Sequence, residues 1–383
     1  SSAPPVTEDA SENNAPETAR EIPIPAAVNG RIESESDVDC FAFQAKKGEG
    51  VCIEVIARRR QSSLDSIIRV LDEKGKQLVE NDDLKRGKHS FADSLIENWI
   101  APADGKYVVE IRDLQLRGGP TFPYLLKIER AKPSFFLQTD TDKTLIAPGV
   151  AAVLFVRAYR QNGFADAIQL GVENLPPGVT ADCGRILPDG QDGAIVFTAA
   201  EGTKTSIADV RVTGQAVSEN SLSVVSETLQ EIYMPGGGRG HYPVAKQAIS
   251  VCEPLDLRKV AVSPTEISLK PGESQTIEVT IERAEGFAKN VSLDVVYQHL
   301  SSVYGHSLPK GVVLDKKNSK TLLTPKETVG RLTLKADPTA APVERQLVPV
   351  MAHVSLNFVM KATYAGPAIR VSVTAPEKQP EAK

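Results

Sequence analysis

Acidic and amide side chains that could bind a metal ion recur in the first third of the sequence. Each lies where a predicted strand begins or ends, at Asp37, Asp39, Asn81, Asp82, Asp83 and Asp93. Calcium takes about six to eight such oxygen ligands, and a β-sandwich gathers its strand ends at two poles. The sequence therefore allows a calcium site here. The alternative is that these are turn residues, because Asp and Asn favour turns for purely local reasons.

Basic side chains form a second group of candidate binding residues. Arg58, Arg59 and Arg60 are consecutive, and Arg239 and His241 follow a glycine-rich segment at 234–238. These residues either contact an anionic partner such as an acidic glycan or are solvated loop tips. The glycine-rich segment lacks the Lys-Ser/Thr ending of a phosphate loop and does not open a helix. It therefore gives no support for nucleotide binding.

Two cysteines in the same region could form a disulfide. Cys40 precedes Phe41, and Cys52 precedes Ile53, on two predicted strands joined by a short turn. If the apolar neighbours face the core, both thiols point away from it, and a cross-strand disulfide is allowed. Two unpaired thiols fit the pattern equally well. The sequence has no CxxC motif, so a zinc or redox site has no support.

The sequence does not predict an enzyme. It contains no nucleophile elbow, no HExxH motif and no paired carboxylates in a catalytic context, and its five histidines are scattered. A net charge of −5 argues against a nucleic-acid partner. No run of about 18 apolar residues occurs, so no segment is expected to span a membrane.

The elements that position these residues are short β-strands. Apolar and polar residues alternate through Leu64–Val109, on either side of turns at Asp72–Gly75 and Asp104–Gly105. This period of two is typical of strands with one buried face. Trp99 lies in this stretch, either in the core or as an exposed sugar-stacking platform. No convincing amphipathic helix accompanies the strands, and the sequence predicts an all-β fold.

An internal repeat follows residue 133. Pro148-Gly149 recurs as Pro271-Gly272, and Gly163-Phe164-Ala165 recurs as Gly286-Phe287-Ala288 with the same offset. A Leu-Pro-x-Gly-Val segment ending at Val179 also recurs, after an insertion at about 297–306. Residues 134–253 and 255–375 are therefore interpreted as two copies of one module. The copies resemble bacterial immunoglobulin-like domains.

A second resemblance covers about residues 11–129. The segments ENNAPETA, GRIESESDVDCFAFQAKKGEGVCIEV, LDSIIRVLDEKGKQLVENDD, DSLIENWIAPADGKYVVEI and YLLKI follow one another in this order. Together they resemble the bacterial pre-peptidase C-terminal domain. The resemblance implies a jelly-roll-like β-sandwich of the kind appended to secreted enzymes, often peptidases, or to other exported proteins. Some members bind calcium near the N-terminal leader, where Glu12 and Asn14 lie. The sequence departs from the family at Cys40, where Tyr is usual, and at its arginine run.

We therefore expect three consecutive β-sandwiches, at 21–131, 134–253 and 255–375, between a disordered leader at 1–20 and a polar tail at 376–383. The leader composition suggests a mature protein whose signal peptide has been removed. The expected location is secreted, periplasmic or at the cell surface. The leading hypothesis is a non-catalytic binding or spacer protein of a bacterial envelope or exterior, recognising protein or polysaccharide. The alternative is an accessory module that targets a secreted peptidase or other hydrolase complex to its substrate.

Overall fold

The structure is a computed structural model that describes residues 6–9, 12–87, 89–217, 222–233, 239–299, 302–357 and 360–374. The glycine-rich segment at 234–238, part of the predicted leader and the predicted polar tail lie outside these residues. Two compact units are present: residues 1–135 with 160–164, and residues 136–159 with 165–383. The three predicted domain boundaries stay predictions. The described part of the leader is ordered rather than disordered, because Val6–Glu8 and Arg20–Glu21 pair with strands of the two sheets of the first unit. The predicted all-β fold is confirmed.

Two five-stranded sheets form the first unit. Its strands are β1 Val6–Glu8, β2 Arg20–Glu21, β3 Ala26–Arg31, β4 Asp39–Ala45, β5 Gly50–Ile56, β6 Ser66–Leu71, β7 Gln77–Asn81, β8 Leu84–Arg86, β9 His89–Phe91, β10 Leu95–Ile100, β11 Gly105–Asp113 and β12 Pro123–Arg130. Short 3-10 helices cover Pro16–Thr18 and Arg58–Arg60. One sheet has the order β1-β3-β12-β5-β10 and the other β2-β4-β11-β6-β7, with β8 and β9 as a separate pair.

Alternate residues of these strands form the core between the two sheets. Phe41, Phe43 and Val109 are fully or almost fully buried there, as the period of two predicts. Trp99 packs at the edge of this core, edge-to-face on Tyr107 with ring centroids 4.7 Å apart. The indole is therefore part of the packing rather than an exposed sugar platform. Burying each large side chain of this kind stabilises the fold by roughly 1.5–3 kcal/mol.

The second unit contains both copies of the repeat except residues 134–135 and 160–164, which belong to the first unit. Its strands are β13 Ser134–Thr139, β14 Lys143–Ile146, β15 Ala151–Gln161, β16 Ile168–Glu173, β17 Val179–Cys183, β18 Arg185–Ile186, β19 Asp192–Ala199, β20 Ser206–Ala216, β21 Ser223–Val225, β22 Glu227–Tyr233, β23 Arg239–Val244, β24 Gln247–Val251, β25 Leu257–Ser263, β26 Glu266–Leu269, β27 Ser274–Arg283, β28 Val291–Asp294, β29 Val296–His299, β30 Ser302–His306, β31 Val312–Leu314, β32 Leu322–Leu323, β33 Val329–Ala336, β34 Val343–Val348, β35 Met351–Ser355, β36 Lys361–Ala365 and β37 Ile369–Val373.

The two copies share one strand order. In the first copy β13, β15, β19 and β17 are neighbours, and in the second β25, β27, β33 and β31 are neighbours. β14 pairs in parallel with β24, as β26 does with β37. The repeated glycines have the same backbone: Gly149 and Gly272 have φ of 87° and 86°, and Gly178 and Gly311 have 79° and 80°. The sequence repeat thus records repeated turns, which need the left-handed conformation that glycine adopts readily.

Candidate functional site

The six predicted calcium ligands share one end of the first unit but not one site. In the sheet β4-β11-β6-β7, Asp39 pairs with Ile111, Ile111 with Ile68, and Ile68 with Asn81. Asp39 and Asn81 therefore lie three strand spacings apart, roughly 14 Å. Two ligands of one calcium ion lie at most about 5 Å apart, since each bond is about 2.3–2.6 Å. One ion therefore cannot bind all six residues, because strand ends that share one pole are still separated by the lateral order of the strands.

Asp93 is held by donors of the protein itself. Its side chain is fully buried, and its carboxylate accepts backbone hydrogen bonds from Ala57, Arg58 and Arg59 at 2.6–3.2 Å. Nε of Arg59 lies 2.5 Å from the same carboxylate, and Glu54 pairs with the other side of this guanidinium. The carboxylate thus caps the 3-10 helix at Arg58–Arg60. Asp93, from the predicted calcium set, and Arg59, from the predicted basic set, therefore belong to one structural unit.

The other members of the acidic set mostly serve turns. Asp37 accepts hydrogen bonds from the amides of Glu33 and Val38, and Oδ1 of Asn81 accepts one from Leu95 N. Asp82 and Asp83 are exposed. In the described part of the chain, no three His, Cys, Asp or Glu side chains are grouped so that they could hold a metal ion.

Asp39 has the most unusual electrostatic environment of the set. Its carboxyl is 3% exposed and accepts a 2.6 Å hydrogen bond from the hydroxyl of Tyr124, which reaches it from the opposite sheet. Burial raises the pKa of Asp39 to about 8, opposed by the Tyr124 hydrogen bond and reinforced by Asp9 and Asp37. The ring of Tyr124 lies over Gly30, where a Cβ atom would come within 2.3 Å of it. The sequence could not reveal this pair, because Tyr124 reads as an ordinary strand residue.

An asparagine beside this pair has an unfulfilled acceptor. The amide of Asn13 donates to Asp9 Oδ1 at 3.2 Å and to the carbonyl of Cys40 at 3.3 Å, while its buried Oδ1 has no hydrogen-bond partner. A cation is one species that would satisfy this oxygen and also hold Asp39 ionised. Calcium at this end of the unit stays a prediction.

The predicted Cys40–Cys52 disulfide is wrong. Although β4 and β5 are consecutive, they belong to different sheets, and both cysteines are free thiols. Cys40 packs with Ala42 and Val108 on the outer side of its sheet. Cys52 lies on the outer side of the other sheet, near Glu54, so the core separates the two side chains. Burial, assisted by nearby carboxylates, raises the pKa of both thiols to about 12.

The basic residues of the predicted binding set are divided between the two units. Arg58 and Arg60 are exposed, whereas Arg59 is held by Asp93. In the second unit, Nε2 of His241 lies 3.3 Å from Glu231 across the β22–β23 hairpin. The side chain of Arg239 lies outside the described residues. An anionic partner at these five residues stays a prediction.

The inserted segment of the second copy has a clear role within the second unit. It forms the hairpin β29–β30, which contacts the first copy. Tyr297 stacks on Phe155 with ring centroids 6.1 Å apart, and Arg157 donates to the carbonyl of Tyr304 at 3.3 Å. A Cβ atom on Gly305 would lie 2.6 Å from the Phe155 ring, so only glycine permits this approach. The sequence located the insertion but not its partner.

An apolar cluster adds to the contact between the copies. It contains Ala151, Ala194 and Val196 from the first copy and Leu347 and Ala365 from the second. Backbone pairing between Ala151 and Ala365 connects strands of both copies into one sheet. We call the hairpin contacts, this apolar cluster and the backbone pairing together the joint. It fixes the relative position of the two sandwiches, because both side-chain packing and sheet hydrogen bonds cross it.

Comparisons with known proteins give fold-level similarities only. No protein-family model matches the chain, and no curated protein matches it. Among solved structures, the pre-peptidase C-terminal domain of a Bacillus anthracis collagenase is 18% identical, covering 30% of this chain and all of that one, with a TM-score of 0.24. The D00-D0 domains of intimin are 13% identical and cover 62% of this chain and 99% of theirs (TM-score 0.20).

Domains 4–9 of the surface layer protein SbsC are 10% identical, covering 89% of this chain and 48% of that one, with a TM-score of 0.25. These scores assign neither family nor function. None of the helical segments that the structure describes has the length and apolar character needed to cross a bilayer.

Proposed function

We propose that the chain is a non-catalytic binding and spacer protein of a bacterial envelope or exterior, and that it recognises protein or polysaccharide. The observation that supports this proposal is the joint. A stacked aromatic pair, an apolar cluster and a shared sheet hold two sandwiches in one arrangement. A spacer needs such fixed geometry between modules, because independent sandwiches on a linker would reorient freely.

The spacer part of the proposal is tested by loosening the joint. Gly305→Val should push Phe155 away and increase the radius of gyration measured by small-angle scattering. The matched control is Val303→Ala, a change at a half-exposed residue of the same hairpin, which should leave the scattering curve unchanged. An unchanged curve for a folded Gly305→Val protein would show that the hairpin does not fix the arrangement.

The binding part is tested with isolated envelope fractions. Purified chain should be retained by these fractions and should hydrolyse neither protein nor polysaccharide substrates. Hydrolysis that is lost on changing one polar residue of this chain would disprove the non-catalytic assignment. Stable co-purification with a hydrolase would instead favour the accessory-module alternative.

A further inference from the structure

A cavity lies between the two copies of the repeat, next to the joint. Its volume is about 270 Å³, and it is lined by residues of β16–β18 on one side and of β34 and β37 on the other. Gly184 forms part of its wall, where a Cβ atom would lie 2.8 Å from the carbonyl of Ala194 and 3.2 Å from Leu347 Cβ. The absence of a side chain at this glycine therefore lets the two copies approach closely around the cavity.

Three arginines line the cavity, together with one acidic residue, Glu344. Nη2 of Arg185 donates to the backbone carbonyl of Glu344, and its Nε lies 3.4 Å from Gln346 Oε1. No ion pair among the described residues involves Arg185. Its positive charge is thus held by neutral acceptors, although an arginine at a partly buried site is usually paired with a carboxylate.

Arg370, the second arginine of the cavity wall, forms an ion pair with Asp182 and has one donor without a partner. Its Nη2 donates to Asp182 Oδ1 at 2.6 Å, whereas its Nη1 is buried and has no hydrogen-bond partner. A buried donor without an acceptor destabilises a protein unless a ligand or water satisfies it. Arg185 and Arg370 come from different copies, so an acceptor between them would bridge the joint.

Arg345 is brought to the same cavity by an irregular backbone. Pairing between β34 and β37 shifts register between Val343 and Gln346, and Arg345 has a φ of 47°. A non-glycine residue in the left-handed region is uncommon, and bulges redirect side chains next to binding sites. The guanidinium of Arg345 pairs with Glu266 at 2.9 Å, which leaves it at the cavity mouth rather than in the interior.

We propose that this cavity binds the carboxylate of an acidic sugar unit, with Arg185 and Arg370 as its principal donors. Guanidinium groups match carboxylates with two parallel hydrogen bonds, and such charge-assisted bonds are about twice as strong as neutral ones. The volume is just below the roughly 300–1,000 Å³ that holds drug-sized ligands, which suits a single sugar unit. Gln169 and Glu344 also line the cavity. The Gln169 amide nitrogen already donates to the carbonyls of residues 170, 183 and 184, which leaves its Oε1 as an acceptor for a hydroxyl group.

This inference rests on the proposed binding function and specifies its ligand class. It is tested by calorimetric titration of the full chain with D-glucuronate, with D-glucose as the neutral probe. Glucuronate should bind and glucose should not. Raising the salt concentration should weaken glucuronate binding, because the interaction is between charges.

Two variants locate the site. Arg185→Gln and Arg370→Lys should each weaken glucuronate binding about tenfold or more. The lysine variant keeps the charge and a donor for Asp182 but removes the planar fork, so it guards against loss of folding. Arg211→Gln is the matched control, because Arg211 pairs with Glu173 on an exposed surface away from the cavity. Its affinity should equal that of the wild type.

Several results would overturn the proposal. They are no glucuronate binding at millimolar concentration, equal affinity for glucose, or equal affinity in wild type and folded Arg370→Lys. Tighter binding of N-acetyl-aspartate than of glucuronate would indicate an acidic peptide instead. A chain that is retained by envelope fractions but does not bind glucuronate refutes this inference alone. Hydrolytic activity would refute the proposed function without affecting the cavity.

Discussion

Asp93 offers the sharpest test of how the first unit is held together. Replacing it with alanine leaves the buried amide of Ala57 and the amides of Arg58 and Arg59 without their acceptor. An unsatisfied buried donor costs about 1–3 kcal/mol, and breaking a buried ion pair costs about 3–5 kcal/mol. These costs overlap, so we expect Asp93→Ala to lower the free energy of unfolding by about 4 kcal/mol.

The amide variant separates charge from shape. Asp93→Asn keeps one acceptor oxygen but places an NH2 group against the donors of Arg59, so its cost should be intermediate, about 2 kcal/mol. The matched control is Glu54→Gln, which removes the partly exposed second partner of Arg59 and should cost at most about 1 kcal/mol. Alanine at position 93 is expected to be the most destabilising change of the three.

Urea denaturation followed by tryptophan fluorescence measures these changes directly. Trp99 is the single tryptophan of the chain and packs on the core of the first unit, so its emission reports unfolding of that unit. If Asp93→Ala shifts the unfolding free energy by less than about 1 kcal/mol, or by no more than Glu54→Gln does, the buried carboxylate is not what holds the 3-10 helix.

Three further predictions concern protons, thiols and metal. Burial raises the pKa of Asp113, but hydrogen bonds from the side chain of Arg117 and from three backbone amides lower it overall. The resulting stability is present above the ordinary carboxyl pKa and is lost as the pH falls through the lowered value. Asp113→Asn should therefore be less stable than wild type at pH 7, by urea midpoint, with a difference that shrinks at acid pH; a constant difference contradicts this. Thiol titration of unreduced, denatured protein should count all four cysteines as free thiols, Cys40 and Cys52 included. A count of two free thiols would show that a disulfide forms. Millimolar calcium should raise the melting temperature above that in chelator for wild type and Asp82→Ala but not for Asp39→Asn, and identical wild-type curves would exclude calcium here.

The sequence predicts the sandwiches well because their signals are local. Alternation of apolar residues specifies which side of a strand is buried, and the repeated glycines specify where the chain turns. Neither signal specifies which strands are neighbours. Consecutive strands predict one hairpin for Cys40 and Cys52, yet β4 pairs with β11 in one sheet and β5 pairs with β12 in the other.

The same limitation explains what was missed at the candidate sites. A strand end can be assigned to a pole of the sandwich from sequence, but its lateral position depends on the strand order. Asp39 and Asn81 are separated by two intervening strands, whereas Asp39 and Tyr124 meet across the core. The second contact joins residues 85 positions apart, and no spacing in the sequence indicates it.

The insertion, the joint and the arginine cavity form one connected structure. Ser307 directly follows the inserted hairpin, and the buried amide of Gln346 donates to the carbonyls of both Ser307 and Arg185 at 3.0–3.1 Å. Leu347 belongs to the apolar cluster and also lines the cavity. A ligand held between Arg185 and Arg370 would therefore contact both copies and stabilise the joint by RT ln(1 + [L]/Kd). In the proposed function, fixed spacing and ligand binding depend on the same contacts, so weakening the joint should weaken ligand binding as well.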